Sequence, residues 1–304
     1  MARKMNLPGI IVPPLTPFDS QLNVDYDALR REVDYVVEDC HADAISVAAV
    51  ETQEYQYLDM EEREELIRRT AEYADGRCYV IVGISHPSLS SVRKLTDLAV
   101  EVGADAVQLL APNRPFGGKP TQAEIVSYFR AAAEYSKLPM VAYHNPGPGA
   151  EVSPETMVEL AGIERVEFFK ESSRDMKRVG RLIQEIDVAG LGRYLTTMEV
   201  LLPTLLLGGS GGTMPPPAAS IGHEMVEAVR EGDMKRAIEA QRRFFHFPGR
   251  WSPYGLAPLM KFALKRIGLD IGQPYPPFQP ISTKDEAELS AAVDGASFAK
   301  PGQR

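Results

Sequence analysis

The sequence predicts a (β/α)8 barrel followed by a C-terminal helical extension, and three observations carry that reading. Short, β-rich apolar runs alternate with amphipathic helical stretches. Eight such runs occur with seven helical stretches between them, which is the element count of a closed parallel barrel. The segments HADAISVAA and GADAVQLLA each place a small turn and an aspartate directly before an apolar strand, a weak internal echo of the kind that repeated βα units leave.

Taken in order, the expected strands are GIIVPPL (9–15), AISVAAV (44–50), CYVIVGI (78–84), DAVQLLA (105–111), PMVAYHN (139–145), VEFFK (166–170), IDVAGL (186–191) and GGTMP (211–215). Most are short continuous apolar runs, the pattern of a strand buried on both faces. The expected helices are Tyr26 to Glu38, Glu61 to Ala74, Leu89 to Val102, Gln122 to Tyr135, Pro154 to Ala161, Arg174 to Glu185 and Met198 to Leu207, each with apolar residues at helical spacing. Beyond the eighth strand, 220–247 and 254–267 continue as helices, and the proline-rich GQPYPPFQP (272–280) leads into a last short helix near 285–293. Residues 1–231 are therefore read as the barrel and 232–304 as the extension.

Composition narrows the function. A chain of 304 residues with 44% hydrophobic content can bury a full core, which excludes a disulfide scaffold or a disordered tail. With 33 basic against 42 acidic residues the formal charge is −9, and no dense basic stripe is present to neutralise a phosphate backbone, so nucleic acid is not an expected partner. The start, MARKMNLPGIIVPPLTPF, has its short apolar stretch broken by prolines and a glycine, unlike a secretory leader. No run approaches the roughly 20 apolar residues that span a bilayer. Cys40 and Cys78 are the only cysteines and lack neighbouring metal-ligand spacing, so they read as free thiols in a reducing compartment, the cytoplasm.

The segment VEFFKESS poses the chemical question. An apolar strand ends on Lys170 rather than on a turn residue, and in a barrel of this kind the catalytic side chains sit at the C-terminal ends of the strands. Lys170 is either a solvated loop residue or a buried amine with a chemical task. AYHNP puts Tyr143 at the corresponding end of the preceding strand. A desolvated amine has a lowered pKa and can attack a ketone to give a Schiff base that acts as an electron sink, and a neighbouring phenol can relay the protons this requires.

At this point the sequence resembles the dihydrodipicolinate synthase and N-acetylneuraminate lyase superfamily, the class I pyruvate-dependent aldolases. The resemblance runs in order through PPLTPF, LDMEEREEL, DGRCYVIVGI, GADAVQLLAP, the tyrosine of AYHNP, the lysine of VEFFKESS, the LGGSGG loop and PLMKFALKRIGL. It implies that Lys170 forms the Schiff base, that Tyr143 shuttles protons and orients the keto acid, and that the backbone at Gly212 and Thr213 lies near that acid. It also implies a loop after strand two that holds the keto acid's carboxylate on backbone N–H groups and threonines. No cofactor is implied. A homodimer or homotetramer is, because family members pair barrels so that a loop after strand four reaches the neighbouring site.

The chain departs from the family pattern in three places. The Gly-Thr-Thr-Gly-Glu loop after strand two is VETQE here, so Thr52 and Glu54 keep the second threonine and the glutamate, while Glu51 stands where the relay threonine would be. The tyrosine pair after strand four is replaced by Asn113 and Arg114. Pro148 stands at about the position of the arginine that, in the lysine-biosynthesis enzymes, clamps the carboxylate of the aldehyde substrate. The Schiff-base parts survive and the parts that choose the second substrate have changed, so the resemblance implies a divergent member rather than a true dihydrodipicolinate synthase.

Several residues keep two readings. Glu51 is a general acid or base if it faces the lysine, and a structural partner of an arginine if it turns outward. His144 follows an inward tyrosine and by alternation points away from the site. The glycine-rich LGGSGGTMPPP could cradle phosphate or simply let backbone approach a ligand; the resemblance favours the latter. The five histidines show no HxH or HExxH spacing, so no metal is expected. The expected activity is a Schiff-base lyase acting on pyruvate or a related 2-keto acid. The alternatives are a Schiff-base dehydratase or deaminase of a 2-keto sugar acid, and a catalytically inactive barrel that binds a small acid.

Overall fold

The computed structural model describes residues 5, 7, 9–49, 54–114, 117–246 and 253–302. Eight strands, β1 (Gly9–Val12), β2 (Ala44–Val47), β3 (Tyr79–Gly83), β4 (Ala106–Leu110), β5 (Met140–His144), β6 (Val166–Glu171), β7 (Arg193–Leu195) and β8 (Gly211–Thr213), alternate with helices. All of their ladders are parallel, in the order β7-β6-β5-β4-β3-β2-β1-β8. The remaining gap is bridged just past β7, where Thr196 pairs with Gly212: the Thr196 N–H donates to the Gly211 carbonyl at 3.1 Å and the Thr213 N–H to the Thr196 carbonyl at 2.8 Å. The protein is a (β/α)8 barrel. Closure between β1 and β8 explains one glycine: at Gly211, with φ +119°, a Cβ would sit 2.0 Å from the Gly9 carbonyl oxygen, so only glycine lets the two strands meet.

The helices between the strands are α1 (Tyr26–Asp34), α2 (Met60–Ala74), α3 (Leu89–Glu101), α4 (Gln122–Tyr135), α5 (Pro154–Leu160), α6 (Met176–Leu182) and α7 (Leu201–Leu206), and α8 (Pro216–Arg230) follows β8. Side-chain caps set several of their starts. Asp59 with Glu62 and Thr121 with Glu124 form reciprocal capping boxes on α2 and α4, satisfying amide donors that the first turn leaves open. The extension comprises α9 (Met234–Arg243), α10 (Leu256–Arg266) and α11 (Thr283–Ala296). The expected boundary at 231 falls at the turn carrying Gly232 (φ +74°) between α8 and α9. Apolar packing is continuous across it: Ala237, Ala240, Met260 and Leu264 belong to the same buried cluster as the barrel helices.

Three expected elements differ. IDVAGL is not the seventh strand: 183–188 continue α6 as a π-helical turn that buries Ile183 and Ile186, a helical three-residue spacing. The strand begins at Arg193, after Gly190 and Gly192, with the Asp187 carboxylate accepting the Tyr194 N–H at 2.9 Å. The first helix passes into a π-helical segment over Tyr35–Asp39. The helix expected over 220–247 starts earlier, at Pro216, where the missing N–H costs nothing, and breaks at Gly232 before Asp233 caps α9.

A second apolar cluster fills the barrel interior. Ile11, Ala44, Tyr79, Ile81, Ala106, Val141, Phe168 and Leu195 come from seven successive strands. Alternation along each strand then fixes which later residues also point inward.

Candidate active site

Two strands bring the central pair together. Val141 and Phe168 face inward and are paired in register; two residues on, Tyr143 and Lys170 are paired in the same ladder and face the same way. Lys170 is 2% exposed and Tyr143 1% exposed. The lysine Nζ donates to the phenol oxygen at 3.3 Å and lies 4.3 Å from the centre of the ring, close enough for the π face to stabilise an ammonium. The phenol oxygen also accepts from Asn145 Nδ2 at 2.8 Å and lies 3.1 Å from Ser172 Oγ. Both of these neighbours sit on the short segments that leave β5 and β6 at the C-terminal mouth.

β8, two strands round the barrel from β6, adds a further polar group. Thr213 is paired with Ile11, so its side chain faces the interior, and its Oγ1 is buried with no hydrogen-bond partner among the described residues. A buried hydroxyl left this way is costly unless something polar meets it. Gly212 precedes it, with Leu201 Cδ1 at 3.1 Å and the Thr196 carbonyl at 3.2 Å from where a Cβ would stand. Ser46 and Gln108, both buried, add polar groups from β2 and β4, their Oγ and Oε1 lying 3.5 Å apart.

Glu51 and Thr52 lie outside the described residues, as do Val50 and Gln53. Glu54, the last residue of that loop motif, is described. It is fully buried, with Oε1 2.8 Å from the Lys261 ammonium of α10 and Oε2 accepting the Thr16 N–H at 2.7 Å. Burial raises its carboxyl above the usual range while Lys261 pulls the other way. Arg114 is partly exposed and pairs with Glu124 at the start of α4, and it also donates to the Gly117 carbonyl at 3.2 Å. Glu124 is held down to about 2, first by the Thr121 N–H and then by Arg114. Asn113 Nδ2 donates to the Pro148 carbonyl at 3.2 Å. Two of the positions that depart from the family pattern are thus in direct contact.

His144 points outward, as alternation requires, into a buried polar network that sequence reasoning did not find. Its Nδ1 lies 2.6 Å from Glu171 Oε1; the other Glu171 oxygen accepts from Arg178 Nε at 2.8 Å and from the Tyr194 hydroxyl at 3.0 Å. The Ser173 N–H adds a further bond to Glu171 at 2.7 Å. Burial alone would raise the Glu171 carboxyl, but His144 and Arg178 outweigh it and hold it below the usual range. The Tyr194 phenol is pushed far up by burial and by Glu171. The signal in the sequence was the charged residue directly after Lys170, which alternation places beside His144.

Among the described residues no cluster of three or more histidine, cysteine, aspartate or glutamate side chains could hold a metal ion. A wide groove of about 1090 Å³ opens at the other, N-terminal end of the barrel, among Tyr79, Asp105, Phe168 and Arg193. Its wall carries an ion pair, Asp187 with Arg193 at 3.5 Å. The Lys170–Tyr143 pair lies at the opposite, C-terminal mouth, the end at which barrels of this fold carry their catalytic groups.

The class of protein is a (β/α)8 barrel that holds a buried lysine against a tyrosine at its C-terminal mouth. The chain belongs to the dihydrodipicolinate synthetase family, whose model matches residues 6–296. It is 31% identical over 296 residues to a 4-hydroxy-tetrahydrodipicolinate synthase of Acidovorax sp. strain JS42, covering 96% of this chain and 97% of that one. Among solved structures it resembles a dihydrodipicolinate synthase from Bacillus anthracis (TM-score 0.86, 26% identity, 94% of this chain and 97% of that one). It shares its fold with an N-acetylneuraminate lyase from Mycoplasma synoviae (TM-score 0.80, 19% identity, 94% and 96% covered).

Proposed function

We propose that the protein is a Schiff-base-forming lyase of the class I aldolase type. It acts without metal on pyruvate or a related 2-keto acid and makes or breaks a carbon–carbon bond. The observation that carries this reading is the buried Lys170 amine 3.3 Å from the Tyr143 hydroxyl, at the mouth of the barrel. Attack of the amine on the ketone and loss of water give an iminium. Removal of a proton or an aldehyde from the adjacent carbon then gives an enamine, with Tyr143 handling the protons. In this reading Thr52, Gly212 and Thr213 hold the carboxylate, and the buried Thr213 hydroxyl, with no hydrogen-bond partner among the described residues, supports that role.

The altered positions Asn113, Arg114 and Pro148 favour a second substrate different from that of the lysine-biosynthesis enzymes. They also keep open a dehydratase or deaminase that uses the same enamine. An inactive acid-binding barrel is disfavoured because it has no use for a Schiff-base amine. We further propose a cytoplasmic homodimer or homotetramer. The two buried cysteines, neither of them in a disulfide, fit a reducing compartment, and among the described residues no helix is long and apolar enough to cross a membrane.

Incubation with pyruvate and borohydride followed by peptide mass analysis tests the central step. A reduced adduct on Lys170 is expected. Absence of any adduct with pyruvate and with a panel of other 2-keto acids, in folded protein, would favour the binding-protein reading. Profiling the same panel for aldehyde release against water loss separates lyase from dehydratase.

A further inference from the structure

We propose that Glu171 is a positioning residue for the Schiff-base pair: its outward-facing carboxylate pins β6 in register against β5 and so holds Lys170 inward, beside Tyr143. The inference rests on the Schiff-base reading and adds to it a residue that acts without touching substrate.

The ladder that carries the pair is irregular. Below the site Met140 pairs with Val166, but the next residue, Val141, pairs with Phe168, so Glu167 is one residue too many on β6 and is exposed. A bulge of this kind bends the strand and increases its local twist. The register at the mouth is therefore not simply carried up from the rungs beneath. A slip of one residue would turn Lys170 out of the barrel and Glu171 into it, because side chains alternate along a strand.

Glu171 opposes that slip from several sides. Its Oε1 lies 2.6 Å from Nδ1 of His144, its paired residue on β5, and accepts the Ser173 N–H at 2.7 Å. Its Oε2 accepts from Arg178 Nε of α6 at 2.8 Å and from the Tyr194 hydroxyl of β7 at 3.0 Å. Glu151 closes the outer side, with Oε1 3.3 Å from His144 Nε2 and 3.9 Å from Arg178 Nη1. The bonds to His144, Arg178 and Tyr194 all require Glu171 to face outward. In the slipped register the carboxylate would be buried in the interior away from these donors, and the Lys170 amine would stand against the Arg178 guanidinium. A buried charge without its partner and two like charges in contact are both strongly disfavoured, so the outer carboxylate selects the register that turns the amine toward the phenol.

The test is exchange of the pyruvate methyl protons in heavy water, followed by NMR at a temperature where circular dichroism shows each variant folded. It needs no second substrate. Glu171→Gln keeps the shape but turns one acceptor oxygen into a donor that faces donors, and it removes the charge opposite Arg178. The variant should still give the borohydride-trapped adduct on Lys170. Its exchange rate at saturating pyruvate should fall about 10²-fold, the effect of a misplacement of about 1 Å, while the half-saturating pyruvate concentration and the shape of the pH profile stay those of the parent. Arg178→Lys, which keeps a cation on the carboxylate, should retain most of the rate that Arg178→Met loses. Tyr194→Phe removes one bond and no charge, should show a smaller fall, and serves if Glu171→Gln does not fold. The parent exchange rate in folded Glu171→Gln, or in Tyr194→Phe where the glutamine variant is unfolded, overturns the positioning role and leaves the Schiff base standing. A pH profile displaced at an unchanged maximal rate overturns it too, because the carboxylate then acts through its charge. Equal losses in Arg178→Lys and Arg178→Met do the same, since the rate then does not follow the cation on the carboxylate. If the parent protein itself forms no adduct with any 2-keto acid, the Schiff-base reading fails and takes the positioning role with it.

Discussion

Replacing Lys261 by methionine should be among the most damaging single changes in the protein, although Lys261 lies in α10, outside the barrel strands. Lys261 is 3% exposed, and its ammonium touches Glu54 Oε1 at 2.8 Å. It also donates to the carbonyls of Thr16 at 2.7 Å and Gln273 at 3.1 Å and lies 4.7 Å from the centre of the Phe18 ring. Methionine preserves most of the apolar stem but strands a buried carboxylate, and breaking a buried pair from one side costs about 3–5 kcal/mol. The cost should depend on pH. Without Lys261 the Glu54 carboxyl, already raised by burial, rises further, so the variant escapes the penalty by binding a proton as the pH falls. Urea unfolding at fixed protein concentration should show a loss of that size near pH 8 and a smaller one near pH 5. The double variant Glu54→Gln/Lys261→Met should recover about 1–3 kcal/mol, the coupling of a directly contacting pair. A single-variant loss below about 1 kcal/mol, or equal losses at both pH values, would refute the reasoning that this is a dry ion pair whose carboxylate is left uncompensated when the lysine is removed.

Tyr143→Phe should keep the fold and most keto-acid binding while slowing turnover by about 10² to 10⁴, as loss of an acid–base group does; an undiminished rate removes the phenol from the mechanism. Glu32 is fully buried, and burial pushes its carboxyl from 4.5 up to about 8. A raised carboxyl stabilises the fold at low pH and loses that contribution as pH climbs toward about 8, so the parent should lose about 3 kcal/mol between about pH 6 and pH 9. Calorimetric midpoints should show this fall flattened in Glu32→Gln. Arg114→Ala should raise KM chiefly for substrates with a distal anionic group, and Glu51→Gln should lower kcat; parent-like kinetics in both on the best substrate would send the search for specificity elsewhere. Light scattering at micromolar concentration should give a dimer or tetramer, and a strictly monomeric mass would remove any role for Arg114 across an interface.

Much of the barrel was legible because its strands are buried on both faces and so read as unbroken apolar runs. IDVAGL was misread for the same reason. Ile186 buries as well on a helix as on a strand, and only the glycines at 190 and 192 mark where the chain turns into β7. The Lys170–Tyr143 pairing was legible from two strand ends, since register and alternation leave little freedom once the fold is known. The surroundings of the phenol were not. Asn145 and Ser172 each come directly after the last residue of their strand, where alternation stops and loop geometry decides what each side chain meets. The buried Glu54–Lys261 pair joins residues far apart in the chain, and no local pattern announces such a contact.

The same alternation that turns Lys170 and Tyr143 inward turns Glu171 and His144 outward, and the two pairs occupy consecutive rungs of one ladder. On the inner side the amine meets the phenol and the phenol meets Asn145 and Ser172, and the spacing of the two strands that carry them is held from outside as well. The outer rung supplies that hold. His144 and Glu171 are joined at 2.6 Å directly behind the site. Arg178 from α6, Tyr194 from β7 and the Ser173 N–H all converge on the same carboxylate. This clamps the ends of β5, β6 and β7 together at the level where the chain opens toward the mouth. Ser173 is the neighbour of Ser172, so the bond that satisfies Glu171 also fixes the backbone from which the Ser172 hydroxyl reaches the phenol. The polar network outside the barrel thus sets the spacing on which the chemistry proposed inside it depends.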